Sequence, residues 1–98
     1  MRPIHPGEVL REEYLQPLGI SPAALACALN VSAPTINDVV LERRDISADV
    51  ALRLARYFST TPRFWMNLQM EYSLATTLAS SWESIEREIL PFSSSCTR

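Results

Sequence analysis

The sequence contains no lysine, so its nine cationic side chains are all arginines, and 11 Asp and Glu residues leave a net charge of −2. This charge excludes a uniformly basic protein that would hold nucleic acid or an acidic membrane through bulk charge. Arginine presents a planar fork of donors that suits carboxylate, phosphate and guanine better than lysine does. The composition therefore favours a few local arginine contacts over a general polycation.

Glycine, cysteine and long hydrophobic runs are also scarce. The longest apolar run, residues 23–29, is far shorter than the roughly 20 residues that are needed to cross a bilayer. Cys27 lies within that run, which predicts a small buried side chain and argues against a disulfide with the distant Cys96. No hydrophobic leader opens the sequence, so we expect a soluble, cytoplasmic protein.

Catalytic and metal-binding side chains are sparse as well. His5 is the single histidine, and no Cys, His or Asp cluster has the spacing of a metal site. A nucleophile built on Cys27 would need an accessible thiolate, whereas this cysteine is surrounded in sequence by alanine and leucine. We therefore expect no enzyme activity, no metal and no cofactor, and we interpret His5 as a structural or surface residue.

What the sequence does contain is a regular series of helix-start signals. No segment shows the alternation of a strand, and the 98 residues suffice for one hydrophobic core. A hydroxyl residue before an apolar stripe, often followed by proline, marks a helix start because the hydroxyl accepts from the free N–H groups of the first turn. The predicted helices run from Glu8 to Leu15, from Ser21 to about Leu29, from Ser32 to about Leu41, from Ser47 through Phe58, and from Thr61 to about Tyr72.

The composition changes after residue 72 to a stretch rich in Ser, Thr and Ala. Within it Ser80 and Glu83 have the spacing of a capping box, which predicts a separate short helix over residues 82–90. The chain then divides into three parts. These are a main domain over residues 1–72, a helical extension over residues 73–91 and a flexible tail over residues 92–98.

An apolar stripe at helical spacing runs along this extension. A narrow apolar seam there has no obvious internal partner, so the stripe predicts a contact between two copies of the chain. Trp65, in the preceding helix, is a candidate either for this interface or for the core. The candidate interface residues are Trp65, Leu74, Leu78, Trp82, Ile85 and Ile89.

Residues 21–41 hold the most informative pattern. An eight-residue helix, a break at Asn30 and a second helix capped by Ser32 have the spacing of a helix-turn-helix, whose second helix enters the major groove of DNA. Asparagine tolerates the left-handed backbone that such a turn often requires. Asn37 can pair with adenine, and Thr35 can meet a thymine methyl group or a base edge, although solvation alone would also explain both. The outward-facing candidates for DNA contact are Ser32, Pro34, Thr35, Asn37 and Asp38.

Two arginines follow the second helix of this motif. Arg43 and Arg44 stand where the chain would pass the DNA backbone, so contact with phosphate is one interpretation. The alternative is that they pair on the surface with Glu42 and Asp45. The arginines of the fourth helix are interpreted as solvent-facing or ion-paired, since Asp49 stands four residues before Arg53 and can form an ion pair with it.

Three blocks of the sequence carry a resemblance to a known family. They are the His-Pro-Gly-Glu start at residues 5–8 with the helix that follows, the run 46–58, and the block Phe-Trp-Met-Asn-Leu-Gln at residues 64–69. Together they resemble the HigA family of antitoxins, which belongs to the lambda-repressor-like helix-turn-helix proteins, and the similarity spans residues 3–72. Members commonly carry Asn-Gly before the paired arginines, where this sequence has Leu41-Glu42.

The resemblance implies an all-α fold, a five-helix DNA-binding domain to which the sequence adds a short C-terminal helix. It implies a homodimer that binds operator DNA, represses its own operon and neutralises an mRNA-cleaving toxin. Two alternatives stay open. Acidic residues near the motif, Asp38, Glu42 and Asp45, favour a protein that sequesters a toxin with little DNA affinity, and a solitary transcription regulator would have the same motif.

The negative charge is unevenly placed along the chain. Residues 1–70 hold seven arginines and seven acidic residues, whereas residues 71–98 hold two arginines and four acidic residues. The net −2 therefore belongs to the C-terminal segment, and the first 70 residues are neutral. We expect specificity to depend on a few arginines and on a dimer whose two recognition helices lie about 34 Å apart or a multiple of that distance.

Overall fold

The computed structural model describes residues 2–92, and every regular element in that range is a helix. The first helix, α1, consists of three consecutive segments, which are α-helical Pro6–Val9, π-helical Leu10–Leu15 and α-helical Gln16–Leu18. The other four are α2 (Pro22–Leu29), α3 (Ala33–Val40), α4 (Ala48–Phe58) and α5 (Pro62–Glu88). Among the described residues, no helix is long and apolar enough to pass through a bilayer. The all-α prediction is confirmed.

Hydroxyl caps begin the last four helices as predicted. In each case the side-chain oxygen accepts from the backbone N–H three residues further on, and the capping residues are Ser21, Ser32, Ser47 and Thr61. The first helix begins two residues before the predicted Glu8, because His5 acts as its N-cap. The helix-start pattern used for the prediction includes hydroxyl side chains only and therefore misses a histidine cap.

The end of α1 also differs from the prediction, which stopped the helix at Leu15. Pro17 lacks an N–H, and in an α-helix its ring would collide with the carbonyl four residues earlier. The π-helical turn before it, in which the Gln16 N–H donates to the Arg11 carbonyl, widens the helix at that point. The helix therefore continues past the proline to Leu18.

Four helices end on a residue in the left-handed conformation. In each case the N–H of the next residue donates to the carbonyl five positions back, so the last turn closes with a Schellman-type pattern. The left-handed residues are Gly19, Asn30, Glu42 and Ser59, with φ of 67°, 59°, 64° and 58°. The prediction for Asn30 is confirmed, and only the first of the four sites is occupied by glycine.

The core lies where α1 packs against α3 and α5, α2 against α3 and α4, and α4 against α5. Trp65 is 0% exposed and its indole N–H donates to the Thr60 hydroxyl at 2.8 Å. Its assignment to the dimer interface is therefore wrong, because the whole side chain is enclosed within one protomer. The prediction of a buried Cys27 is also wrong, since Leu25 and Leu29 take the inward positions of α2 and leave the thiol exposed.

The predicted break before residue 82 is absent, and α5 is one helix of 27 residues. No glycine or proline interrupts it. The Ser80 hydroxyl that suggested a cap donates instead to the Thr77 carbonyl of the preceding turn at 3.4 Å, and the Thr76 hydroxyl donates in the same way to the Tyr72 carbonyl at 3.0 Å. Most of the predicted tail lies outside the described residues.

The C-terminal half of α5 projects beyond the core. The whole of α5 is about 40 Å long, and it gives the described part of the chain an elongated form with principal extents of 59 × 23 × 22 Å. The apolar stripe of this half is exposed, with Leu74 at 63% and Trp82 at 48%. The N-terminal half of α5 therefore belongs to the packed helices, and its C-terminal half projects from them. No glycine or proline separates the two halves.

Candidate nucleic-acid interface

Helices α2 and α3 form the predicted helix-turn-helix. Buried Leu25, Ala26 and Leu29 of α2 belong to the same hydrophobic cluster as Ile36 and Val40 of α3, so the two helices are held together through their inner faces. The left-handed Asn30 turns the chain between them, and its N–H donates to the Cys27 carbonyl at 3.1 Å. This arrangement leaves the outer face of α3 free for contact with a groove.

The outer face of α3 carries the candidate base-contacting residues. Asn37 is exposed, and none of the side-chain hydrogen bonds found within residues 2–92 uses its amide, which can therefore present a donor and an acceptor to a base edge. Thr35 is half-buried, and its hydroxyl lies 2.7 Å from the Ser32 hydroxyl. An open depression of about 290 Å³ lies beside them between α2 and α3. Its lining residues are Pro22, Ala23, Ala33, Pro34, Asn37 and Asp38.

The two candidate phosphate-contacting arginines differ in their surroundings. Arg44 forms an ion pair with Asp38 across 3.6 Å, at the edge of the α3 face. Arg43 is exposed and takes part in no ion pair among residues 2–92. Neither arginine pairs with Glu42 or Asp45 in that range. The predicted alternative of surface ion pairs with these two acids is therefore wrong. Of these two arginines, Arg43 is the more available to a phosphate.

The loop that carries these arginines is tied to α5 at its end, and His5 at the start of α1 also contacts α5. The Gln69 side chain of α5 is buried, and its Oε1 accepts from the Ile46 N–H at 2.7 Å. The His5 ring accepts from the Gly7 N–H through Nδ1 at 2.8 Å and lies edge-on to the Tyr72 ring, with the ring centroids 4.8 Å apart. These contacts of Gln69 and His5 were not predicted from the sequence, although both residues lie in the blocks that carry the family resemblance.

Burial lowers the pKa of His5 below its ordinary value of 6.5, because a charged imidazole would lose its hydration. The carboxylates of Glu42 and Asp45 and the Arg44 backbone oppose this shift without reversing it. A lowered pKa means that the unfolded chain binds a proton more readily than the folded chain. The stability that neutral His5 contributes is therefore complete above pH 6.5 and declines as the pH falls toward the lowered pKa.

We expect the free energy of unfolding to fall by up to about 1.4 kcal/mol for each pH unit between 6.5 and the pKa of folded His5. Urea unfolding at pH 7.5 and pH 5.5 measures this change. The matched control is His5→Asn, because asparagine can cap the helix but does not titrate. An identical loss of stability in this variant would assign the pH dependence to other groups.

Comparison with known proteins places the chain in a family. The helix-turn-helix family model matches residues 12–65. The antitoxin HigA of Pseudomonas aeruginosa, solved with the higBA promoter, is 64% identical and superposes with a TM-score of 0.89 over 94% of this chain and 100% of that one. The chain belongs to the HigA family of helix-turn-helix antitoxins.

Other relatives are similar to this chain over most of its length. Antitoxin HigA-1 of Vibrio cholerae is 38% identical over 78% of this chain and 71% of its own length. Virulence-associated protein I of Dichelobacter nodosus is 57% identical over 76% of this chain and 68% of its own length. Antitoxin GraA, solved in complex with its operator, is 47% identical with a TM-score of 0.89 over 96% of this chain and 95% of that one. The HigA family is one of antitoxins and transcription regulators.

One departure from the HigA pattern has a clear structural outcome. Glu42 stands where members commonly carry glycine, and it adopts the left-handed conformation that closes α3. A side chain in that region costs about 1–2 kcal/mol relative to glycine. Its N–H still donates to the Val39 carbonyl at 2.9 Å, and its carboxylate lies 3.4 Å from Arg11. The C-cap of α3 is therefore retained despite the substitution.

Proposed function

We propose that this HigA-family protein binds operator DNA upstream of its own gene as a homodimer, represses that operon and neutralises an mRNA-cleaving toxin. The observation that carries the proposal is the outer face of α3, where the Asn37 amide is exposed beside the arginines of the following loop. Two relatives, solved respectively with a promoter and with an operator, support the DNA part.

The proposed dimer contact is the projecting half of α5, so that residues 1–72 bind DNA and residues 73–91 join two copies. Its apolar stripe faces solvent in the protomer, and pairing with a second α5 would remove it from water. Two joined protomers present two α3 helices, as a palindromic operator requires. The residues proposed for this contact are Leu74, Leu78, Trp82, Ile85 and Ile89.

The alternative of a toxin-sequestering protein without DNA affinity rested on acidic residues near the motif. Asp38 and Glu42 each lie beside an arginine, at 3.6 Å and 3.4 Å respectively, so neither carboxylate stands as an isolated negative charge. Arg43 keeps its positive charge free of such pairing among the described residues. The electrostatic argument against DNA binding is therefore weaker than the net charge suggests.

Retention of the protein's own upstream DNA in a gel-shift assay at increasing salt tests the DNA part of the proposal. We expect binding that weakens with salt, because phosphate contacts release counterions. Arg43→Met and Arg44→Met should each weaken binding and reduce the salt slope by about one unit. Arg56→Met, an exposed position on α4, is the matched control and should leave the slope unchanged.

Absence of retention at low salt would contradict the repressor role and favour the toxin-sequestering alternative. The proposal that the protein neutralises a toxin is tested separately, through the protein that the neighbouring reading frame encodes. If that frame encodes a small basic protein that arrests growth, co-expression of this chain should restore growth. A neighbouring frame without such an activity would favour a solitary transcription regulator.

A further inference from the structure

The C-terminal end of the recognition helix α3 is held by an arginine from another helix. The backbone N–H groups of Leu41, Glu42 and Arg43 satisfy the carbonyls of residues 37, 39 and 38. The carbonyl of Val40, the last helical residue, accepts instead from Arg11 Nη1 of α1 at 2.6 Å. A cation at this end of a helix also interacts favourably with the negative end of the helix dipole.

The C-terminal end of α2 is held in the same way. The N–H groups of Asn30 and Val31 close the last turn onto the carbonyls of residues 27 and 26. The carbonyl of Leu29, the last helical residue, accepts from Arg53 Nη1 of α4 at 2.9 Å. Each helix of the helix-turn-helix is therefore tied through its final carbonyl to a helix outside the motif.

Both arginines bind a carboxylate at the same time. Arg53 Nε lies 2.8 Å from Asp49 Oδ2, and Arg11 contacts Glu12 at 3.2 Å and Glu42 at 3.4 Å. The carboxylates orient the planar guanidinium so that one remaining N–H points at the helix carbonyl. Lysine has a single charged nitrogen without a planar fork and cannot reproduce this geometry.

We propose that Arg11 and Arg53 are positioning residues for operator recognition, which fix the ends of α3 and α2 and thereby set the orientation of the recognition helix in the groove. This role rests on the proposed function, since it refines how the same helix-turn-helix reads DNA. It predicts a loss of preference for the operator rather than a uniform loss of affinity for any DNA, because the guanidinium groups act through backbone carbonyls of the protein.

Arg11→Lys and Arg11→Met separate positioning from direct phosphate contact. We expect both variants to bind the upstream DNA about tenfold more weakly than wild type, the scale of one charge-assisted hydrogen bond. Arg11→Lys should leave binding to a scrambled duplex and the salt slope unchanged, because its charge is retained. Wild-type affinity for the upstream DNA in Arg11→Lys would overturn the proposal, because charge alone would then suffice.

Amide hydrogen exchange of the free protein provides a second measurement that does not depend on DNA. The amides of residues 41–43 should exchange about tenfold faster in Arg11→Lys, and those of residues 30–31 in Arg53→Lys, because each helix end loses a partner. Arg2→Met removes another arginine that pairs with a carboxylate, Glu8, and is the control expected to change neither region. Unchanged exchange in the lysine variants would overturn the positioning role.

The two assays also distinguish this inference from the function on which it rests. If wild-type protein bound its upstream DNA no better than a scrambled duplex, the proposed repressor function would fail. Hydrogen exchange would then still decide whether Arg11 and Arg53 hold the helix ends. If wild-type protein preferred the upstream DNA and the lysine variants kept the same preference, only the positioning role would fail.

Discussion

Gly7→Ala is expected to destabilise the protein by about 3 kcal/mol, at the upper end of overpacking effects. A Cβ on Gly7 would overlap the Val39 carbonyl oxygen and lie 2.9 Å from the Val39 carbonyl carbon. The obstacle is backbone, which cannot turn aside as a flexible side chain could. Val39 is itself fully buried, and its carbonyl accepts the N–H of Glu42 that closes α3. The absence of a side chain at Gly7 thus allows α1 to lie directly against the recognition helix.

Urea unfolding measures this effect, and Gly19→Ala is the matched control. Nothing lies within 4 Å of a Cβ built at Gly19, and its cost comes only from φ of 67°. A left-handed alanine costs about 1 kcal/mol. Equal losses in the two variants would show that the contact between α1 and α3 does not constrain position 7.

Leu78→Glu combined with Trp82→Glu is expected to convert the proposed dimer into monomers and to reduce operator affinity by about 100-fold or more. Charged groups within a buried apolar seam would lose their hydration without gaining partners. A monomer contacts one half-site only, so the second set of α3 contacts is lost. Sedimentation measures the mass, and a gel-shift assay with the upstream DNA measures the affinity.

The matched control for this pair is Leu18→Glu, at an exposed leucine near the end of α1. All three positions face solvent in the protomer, so circular dichroism should show the same helix content in every variant. A wild-type protein that is monomeric, or a double variant that remains dimeric, would contradict the proposed α5 interface.

The starts of the last four helices could be predicted because they depend on short-range chemistry. A serine or threonine cap acts on N–H groups within three residues, so Ser21, Ser32 and Ser47 identify their helices without tertiary information. The left-handed turn at Asn30 is equally local, since asparagine tolerates that conformation better than most residues. These local signals suffice to place the helix-turn-helix and the outer face of its second helix.

The features that the sequence analysis missed depend on partners distant in the chain. The bond that Arg11 donates to the Val40 carbonyl spans 29 residues, and the bond that the Ile46 N–H donates to Gln69 spans 23. Local spacing cannot reveal such contacts. The continuous α5 was missed for another reason, because the hydroxyl of Ser80 can either cap a new helix or donate back to the preceding turn.

Several contacts in the structure require arginine and could not be made by lysine. Arg11 and Arg53 each hold a carboxylate and a helix carbonyl together, and Arg2 holds Glu8 through two parallel bonds of 2.8 Å and 2.7 Å. All three use the planar fork rather than charge alone. Arg11 and Arg53 therefore stabilise the helix-turn-helix itself.

The central claim, that the outer face of α3 reads a DNA sequence, is tested most directly by the base preference of Asn37→Ala. The measurement is the ratio of affinities for the protein's own upstream duplex and a scrambled duplex of equal length. Wild type should prefer its own DNA, and the variant should lose about 1–3 kcal/mol of that preference while binding the scrambled duplex as before. An unchanged ratio in Asn37→Ala, or a wild-type protein without preference, would contradict the claim.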